Sequence, residues 1–124
     1  MNVMIVSAEI KKIDLIAYVV KDKLSKEYFH LEDCVALFQR KQSAEDFIND
    51  DNVVSLHTIK TSAEIVKIKL TTNIESDDEL VYVALNEDNS IVADEDFFLY
   101  VYHNLHDLML YDRERFVVAQ IIEK

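Results

Sequence analysis

The chain contains no glycine and no proline among its 124 residues. Average usage would place about nine glycines and about six prolines in a chain of this length. P-loops, dinucleotide-binding fingerprints and nucleophile elbows all need glycine, because each brings the backbone close to a ligand or into a positive-φ turn. The absence therefore excludes most nucleotide-dependent enzyme classes. Turns must use Asn and Asp instead, which predicts turns at residues 49–52 and 86–89.

Cysteine is nearly absent as well. The single cysteine, Cys34, excludes an internal disulfide and indicates a reducing compartment. A core position is the simpler interpretation of this residue. The alternative, a reactive thiol, would need cationic neighbours, whereas Glu32 and Asp33 are acidic.

Long apolar runs are also missing. No run is longer than the one at residues 15–20, which is far short of the roughly 20 residues needed to span a bilayer. The apolar residues 3–6 follow no positive charge and precede no small-residue cleavage site, so we expect no signal peptide. These features predict a cytoplasmic protein, in the host cytoplasm if a phage encodes it.

Positive charge is missing from a long central stretch. Residues 63–124 carry 14 acidic and 5 basic residues, a net charge of −9 out of −11 for the whole chain. No Lys or Arg occurs between Leu70 and Asp112. Such a field repels nucleic acid and anionic membranes and attracts basic surfaces. Direct binding of DNA or RNA is therefore not expected.

The length and the 50% hydrophobic content predict one domain spanning residues 1–124. Alternation and β-branched runs predict strands, with hairpins across residues 60–63 and 86–89. The predicted strands are residues 3–10, 15–20, 27–31, 53–59, 64–71, 80–85, 90–93 and 115–122.

Apolar spacing predicts helices in two regions. Leu31, Cys34, Val35 and Phe38 fall on one helical face within residues 31–50; the alternative makes residues 35–38 a strand. A capping-box pattern at residues 43–46 predicts a short helix that buries its apolar residues, namely Ala44, Phe47 and Ile48. Residues 94 or 95 to 111 predict the longest helix, with acidic residues at its start. The fold class expected is α+β, an antiparallel sheet with two to three helices packed on one face.

His103, His106 and Asp107 share a face of that last predicted helix. Imidazole and carboxylate groups at this spacing can bind zinc or another divalent ion, although an ordinary exposed or partner-facing pair is the simpler interpretation. No metal ligand is assigned.

A second stripe on the same predicted helix comprises Leu99, His103, His106 and Leu110, opposite its apolar face. A helix packed on one side would carry plain polar residues there. The stripe therefore predicts either a second intramolecular contact or an interface with another chain, including a homodimer.

The acidic residues have two interpretations. They are either a solubilising surface or a shaped face that binds a basic protein by imitating nucleic acid. The acids assigned to partner binding are Glu75, Asp77, Asp78, Glu79, Glu87 and Asp88.

No catalytic residue and no cofactor is assigned, because the sequence contains no pattern that singles out a nucleophile or an acid–base pair. We therefore expect a small non-enzymatic inhibitor or regulator of a nucleic-acid-processing enzyme, of the type used by phages and mobile elements. The alternatives are a homo-oligomeric assembly protein and a metal-dependent hydrolase that uses His103, His106 and Asp107.

Overall fold

A computed structural model describes residues 12–49, 63–110 and 115–124. In chain order its elements are β1 (Asp14–Asp22), β2 (His30–Leu31), β3 (Cys34–Val35), β4 (Leu37–Phe38), α1 (Lys41–Ile48), β5 (Ala63–Thr71), β6 (Leu80–Ala84), β7 (Val101–Tyr102), α2 (Leu105–Leu110) and β8 (Phe116–Glu123). The predicted α+β fold with two to three helices on one sheet face is wrong. The described residues form a curled antiparallel sheet with two short helices.

All eight strands belong to one sheet, in the order β2–β3–β7–β6–β8–β5–β1–β4. The longest pairing is between β1 and β5, which are antiparallel over nine residues of each strand. The edge strand β4 returns toward β7: the N–H of Leu99 donates to the carbonyl of Leu37 at 2.9 Å, and the N–H of Gln39 donates to the carbonyl of Phe97 at 2.9 Å. The sheet therefore curls until its β4 edge is joined to the segment before β7 by main-chain hydrogen bonds.

One buried cluster explains the curl. It receives side chains from β1 and from every strand between β3 and β8. Ala17, Ile68, Val81, Val101 and Ala119 are completely buried there. Strands from the centre of the sheet and from its β4 edge can share one cluster only if the sheet curves around it, and the apolar area removed from water stabilises that curvature.

A second buried cluster, on the opposite face of the sheet, includes a few residues of the two short helices. Ala44 and Phe47 of α1 and Leu108 of α2 are buried in this cluster, together with sheet residues such as Val20 and Phe38. The predicted burial of Ala44 and Phe47 is confirmed, while Ile48 is half-buried. The helix begins at Lys41, two residues before Ser43, and its N-cap Arg40 makes no side-chain hydrogen bond, so the predicted capping box does not start it.

The prediction of a helix from residue 31 is wrong, and the alternative strand at residues 35–38 is confirmed. Cys34, Val35, Leu37 and Phe38 lie in β3 and β4 and are all buried. Ala36 between these strands is buried too. Because both faces of the sheet are covered here, the alternation expected of a half-exposed strand is lost.

The long helix predicted from residue 94 or 95 to residue 111 is wrong for the same reason. Its first half contains a turn and β7, and only Leu105–Leu110 is helical. Phe98, Leu99, Val101 and Tyr102 are each buried, on one face of the sheet or the other. Aromatic and β-branched residues favour strands, and they happen to recur here at helical spacing.

Several strand predictions are confirmed by β1, β5, β6 and β8. Of the strand predicted at residues 27–31, only β2 and an isolated bridge between Lys21 and Tyr28 form. The hairpin across residues 86–89 is confirmed by the bridge between Leu85 and Ile91. The strands predicted at residues 3–10 and 53–59, most of the turn at residues 49–52 and most of the turn at residues 60–63 lie outside the described residues. Neither described helix is long and apolar enough to cross a membrane.

Without glycine, other residues occupy the left-handed backbone region. Six described residues have positive φ: Lys26, Glu32, Asp33, Glu79, Asn89 and Phe97. The pair at 32–33 connects β2 to β3, where a two-residue hairpin turn needs positive φ at both positions and normally uses Asn-Gly. Each such side chain carries steric strain that glycine would avoid.

Phe97 is the most unusual of these residues, because bulky side chains rarely adopt positive φ. In its turn, the N–H of Phe97 donates to the carbonyl of Asp94, and the N–H of Asp94 donates to the carbonyl of Phe98. The turn at residues 86–89 has the same hydrogen bonds, and there the position of Phe97 is taken by Asn89, a residue that tolerates positive φ. The guanidinium carbon of Arg40 lies 3.8 Å from the centre of the Phe97 ring. This cation–π contact and the Gln39 hydrogen bond hold the strained residue in place.

The strain at the β2–β3 turn predicts that Glu32→Gly stabilises the protein. Relief of a left-handed side chain is worth about 1–2 kcal/mol, and the greater freedom of glycine in the unfolded chain offsets about 0.4–1 kcal/mol of this. We expect the free energy of unfolding, measured in urea, to rise by about 0.5–1 kcal/mol. The control Glu87→Gly lies at an exposed turn position where φ is not positive, and it should lower the free energy of unfolding by a similar amount. A loss of stability in Glu32→Gly would contradict the strain.

Candidate partner-binding face

The loop before β6 carries four exposed acids, Glu75, Asp77, Asp78 and Glu79. We call residues 74–79 the acidic loop. It also exposes Ile74, whose accessible fraction is 42%. All four acids come from the predicted site, and their local spacing in the sequence is enough to bring them together.

A buried glutamine on β8 organises the acidic loop. Gln120 is 4% exposed, and its Oε1 accepts a hydrogen bond from the N–H of Glu75 at 2.8 Å. Its Nε2 lies within hydrogen-bond distance of the Ser76 hydroxyl at 2.8 Å and the Asp78 carbonyl at 2.9 Å. The loop backbone is therefore held to β8 by a side chain 42 to 45 residues away, a contact that no local sequence pattern indicates.

The acidic loop contacts His103 at its C-terminal end. Oε2 of Glu79 lies 3.8 Å from Nε2 of His103, and both side chains are partly exposed. The carbonyl of Glu79 accepts a hydrogen bond from the N–H of Ile121 at 3.1 Å, which fixes this end of the loop on β8. Because His103 lies two residues before α2, the contact places the acidic loop beside that helix.

Three large apolar residues of α2 are exposed to solvent. The accessible fractions are 40% for Leu105, 49% for Met109 and 64% for Leu110; we call these three residues the α2 patch. The predicted site residue His106 is exposed on the same helix. Leu110 and His106 therefore lie on the surface, as a partner-binding role requires.

The remaining predicted site residues lie elsewhere. Leu99 is 2% exposed and packs in the core between the sheet strands, so the helical stripe that included it is wrong. Glu87 and Asp88 are exposed, but they follow β6 while the acidic loop precedes it. Five strand residues span about 16 Å, so these two acids form a separate patch.

A polar cluster that the sequence analysis missed lies beside the acidic loop. Nε2 of His30 is 2.7 Å from Nδ1 of His103. The Tyr28 ring is stacked on His103, with centroids 6.3 Å apart, and its hydroxyl donates to Oε2 of Glu123 at 3.1 Å. Lys21 donates to the same oxygen at 2.5 Å. The partners are 73 to 102 residues apart in sequence, so only the curled sheet brings them together.

Burial and neighbouring charges shift the pKa values in this cluster. Burial raises the pKa of the Tyr28 hydroxyl, and the carboxylates of Glu123 and Glu79 raise it further, so Tyr28 acts as a neutral donor. The hydrogen bond from Lys21 lowers the pKa of Glu123, and the hydrogen bond from Tyr28 lowers it further. Partial burial and the neighbouring His103 lower the pKa of His30.

The metal-binding hypothesis gains no geometric support. His103 precedes α2 and faces His30, so it does not share a helical face with His106 and Asp107. Among the residues that the structure describes, no group of three or more His, Cys, Asp or Glu side chains is arranged to hold a metal ion. The ring nitrogens of His30 and His103 instead contact each other directly.

Comparison of the chain with protein-family models, with curated proteins and with solved structures finds no significant match.

Gln120→Met tests the anchoring of the acidic loop. Methionine keeps the volume but leaves the N–H of Glu75 and the loop carbonyls without this partner, so we expect a loss of about 1–3 kcal/mol in the free energy of unfolding. Amide hydrogen exchange should show a loss of protection at Glu75. Gln42→Met, at an exposed position on α1, should change stability by no more than about 0.5 kcal/mol. An unchanged Glu75 exchange rate would contradict the anchoring role.

The ion pair at Glu123 predicts a specific acid sensitivity. Its folded pKa is lowered, so its contribution is fully present above the unfolded pKa of about 4.3 and is lost as pH falls through the folded value. Glu123→Gln should therefore weaken the fall in stability between about pH 6 and about pH 3, measured by urea unfolding. Glu27→Gln, an exposed carboxyl group outside this cluster, serves as the control. Identical profiles for the wild type and Glu123→Gln would contradict the prediction.

Proposed function

We propose that this chain is a non-enzymatic binding protein whose acidic loop and α2 patch together bind a protein with a basic surface. The observation that carries the proposal is the contact between Glu79 and His103, because it joins the two exposed features into one face. The partner that best fits this face is a nucleic-acid-processing enzyme, and the chain would act as its inhibitor or regulator.

Charge supports this choice of partner. The acidic loop lies within the stretch that lacks Lys and Arg. The contact between Glu79 and His103, an ion pair only when the imidazole is protonated, is the one close basic contact found for its acids among the described residues. Negative charge that is not neutralised internally steers a basic partner and speeds association. A face of this charge competes with nucleic acid for the same basic surface.

Preorganisation supports binding through this loop. Ordering a flexible loop on association lowers affinity, and a loop already fixed in the free protein avoids that loss. Gln120 supplies the order, through its hydrogen bonds to Glu75, Ser76 and Asp78. The α2 patch adds apolar surface of the kind found at the centre of interfaces. Glu87, Asp88 and Leu99 are not part of this face.

The proposed location is the cytoplasm, the host cytoplasm if a phage encodes the protein. The single, buried Cys34 suits a reducing compartment, and intracellular nucleic-acid-processing enzymes are found there.

The acidic loop can be neutralised without changing its shape. The variant Glu75→Gln, Asp77→Asn and Asp78→Asn leaves Glu79 and its contact with His103 intact. Affinity capture from a bacterial lysate at about 50 mM and about 400 mM salt spans weak and strong screening. We expect the wild type to capture a basic nucleic-acid-processing enzyme at low salt and less of it at high salt. The neutralised variant should associate with that enzyme at least about tenfold more slowly.

The control variant carries the same charge change at the other end of β6: Glu87→Gln, Asp88→Asn and Glu95→Gln, all at exposed positions. It should retain most of the wild-type association rate. Equal slowing in both variants would show that net charge matters and the acidic loop does not, and no slowing in either would contradict the steering role. The captured enzyme should also lose nucleic-acid binding when the wild-type protein is added.

The exposed α2 patch favours one alternative, a homo-oligomeric assembly protein. Apolar side chains exposed on one helix can pack against a second copy of the chain. Sedimentation velocity at several protein concentrations distinguishes the two functions. A stable oligomer that Leu110→Ser dissociates would favour the assembly protein, and a monomer at all concentrations would exclude it.

A further inference from the structure

His30 and His103, in the polar cluster beside the acidic loop, form a direct hydrogen bond between their rings. Nε2 of His30 and Nδ1 of His103 are 2.7 Å apart, and the ring centroids are 4.8 Å apart. A bond between two imidazole nitrogens uses one proton, since one nitrogen donates and the other accepts. When both rings are fully protonated, neither nitrogen can accept and both rings are positively charged.

The bond links β2 to the segment leading into α2, two parts of the fold that are far apart in sequence. His30 lies in the two-residue edge strand β2, and His103 lies in the segment leading into α2. The short strand β3 pairs with β7 at a single position, Cys34 opposite Tyr102. The histidine pair is therefore a side-chain link that reinforces the docking of the β2–β3 hairpin.

Several charged and titratable groups surround the pair. Glu79, preceding β6, faces His103, and Tyr28, between β1 and β2, stacks on its ring. Asp33 and Asp107 act on His30. Lys21 and Glu123 reach the pair only through Tyr28. The surrounding carboxylates stabilise one positive charge on the pair, but the two rings repel each other when both are charged.

We propose that the His30–His103 pair is a pH-sensitive link that holds the β2–β3 hairpin against the segment leading into α2 near neutral pH and opens when both rings are protonated. The geometry requires the shared proton, and the inference does not depend on the proposed function. It adds a conformational response beside the acidic loop, because Glu79 contacts the same His103 ring.

The direction of the expected pH dependence follows from the pKa of His30. Its folded pKa is lowered, by partial burial first and by His103 second. Its contribution to the free energy of unfolding is therefore fully present above the unfolded pKa of about 6.5 and is lost as pH falls through the folded value. The hairpin should loosen below about pH 6.5, while the rest of the sheet stays folded.

Hydrogen exchange of the wild-type protein tests the link directly. Two amides report on whether the hairpin loosens: the N–H of Phe29, which donates to the carbonyl of Val20 on β1, and the N–H of Ala36, which donates to the carbonyl of Phe29 within the hairpin. After correction for the intrinsic pH dependence of exchange, their protection should fall about tenfold or more from about pH 7.5 to about pH 5. Protection of Ile68 in the centre of β5 should not fall. Equal protection of the hairpin amides at both pH values would overturn the proposal.

Variants separate the link from general acid sensitivity. His30→Gln keeps a polar side chain that does not titrate, so hairpin protection should become independent of pH over this range. His106→Gln, an exposed histidine of α2, should keep the wild-type pH dependence. A double-mutant cycle of His30→Ala and His103→Ala should show coupling of about three- to tenfold in the unfolding equilibrium at about pH 7.5 and none at about pH 5. Coupling of the same size at both pH values would also overturn the proposal.

Discussion

Burial of apolar side chains on both faces of one sheet is the constraint on which this structure depends. Strands from the centre and from the β4 edge contribute to a single cluster, and this is achieved only when the sheet curls. The curl then brings β4 close to the residues before β7, and main-chain hydrogen bonds join them. This pairing of the β4 edge also reduces the unpaired backbone that would otherwise promote aggregation.

The absence of glycine makes this fold more strained than its sheet requires. Tight turns need positive φ, and side chains such as Glu32, Asp33 and Phe97 occupy these positions. At Phe97 the surrounding structure supplies compensation through Arg40 and Gln39. Local strain of this kind persists only where other contacts determine the conformation.

The proposed binding face is a consequence of the same curled sheet. Gln120 is buried on β8, and from there it holds the acidic loop that leads into β6. The paired β6 and β7 place Glu79 beside His103, and thereby set the acidic loop next to α2. The charge of the face comes from the composition of the chain, whereas its shape comes from strand pairing.

The sequence alone determined which segments are strongly apolar, where charge accumulates and where the turn at residues 86–89 lies. It predicted β1, β5, β6 and β8 and the exposed acids of the acidic loop, since these depend on nearest neighbours along the chain. The tertiary structure decided the rest. Residues 34–38 and 101–102 joined the sheet with both of its faces buried, which removes the alternation that identifies a strand. Leu99 was placed in the core, and His30, Tyr28 and Glu123 were brought to His103, because pairing of strands far apart in sequence is set by the whole curled sheet and leaves no local pattern.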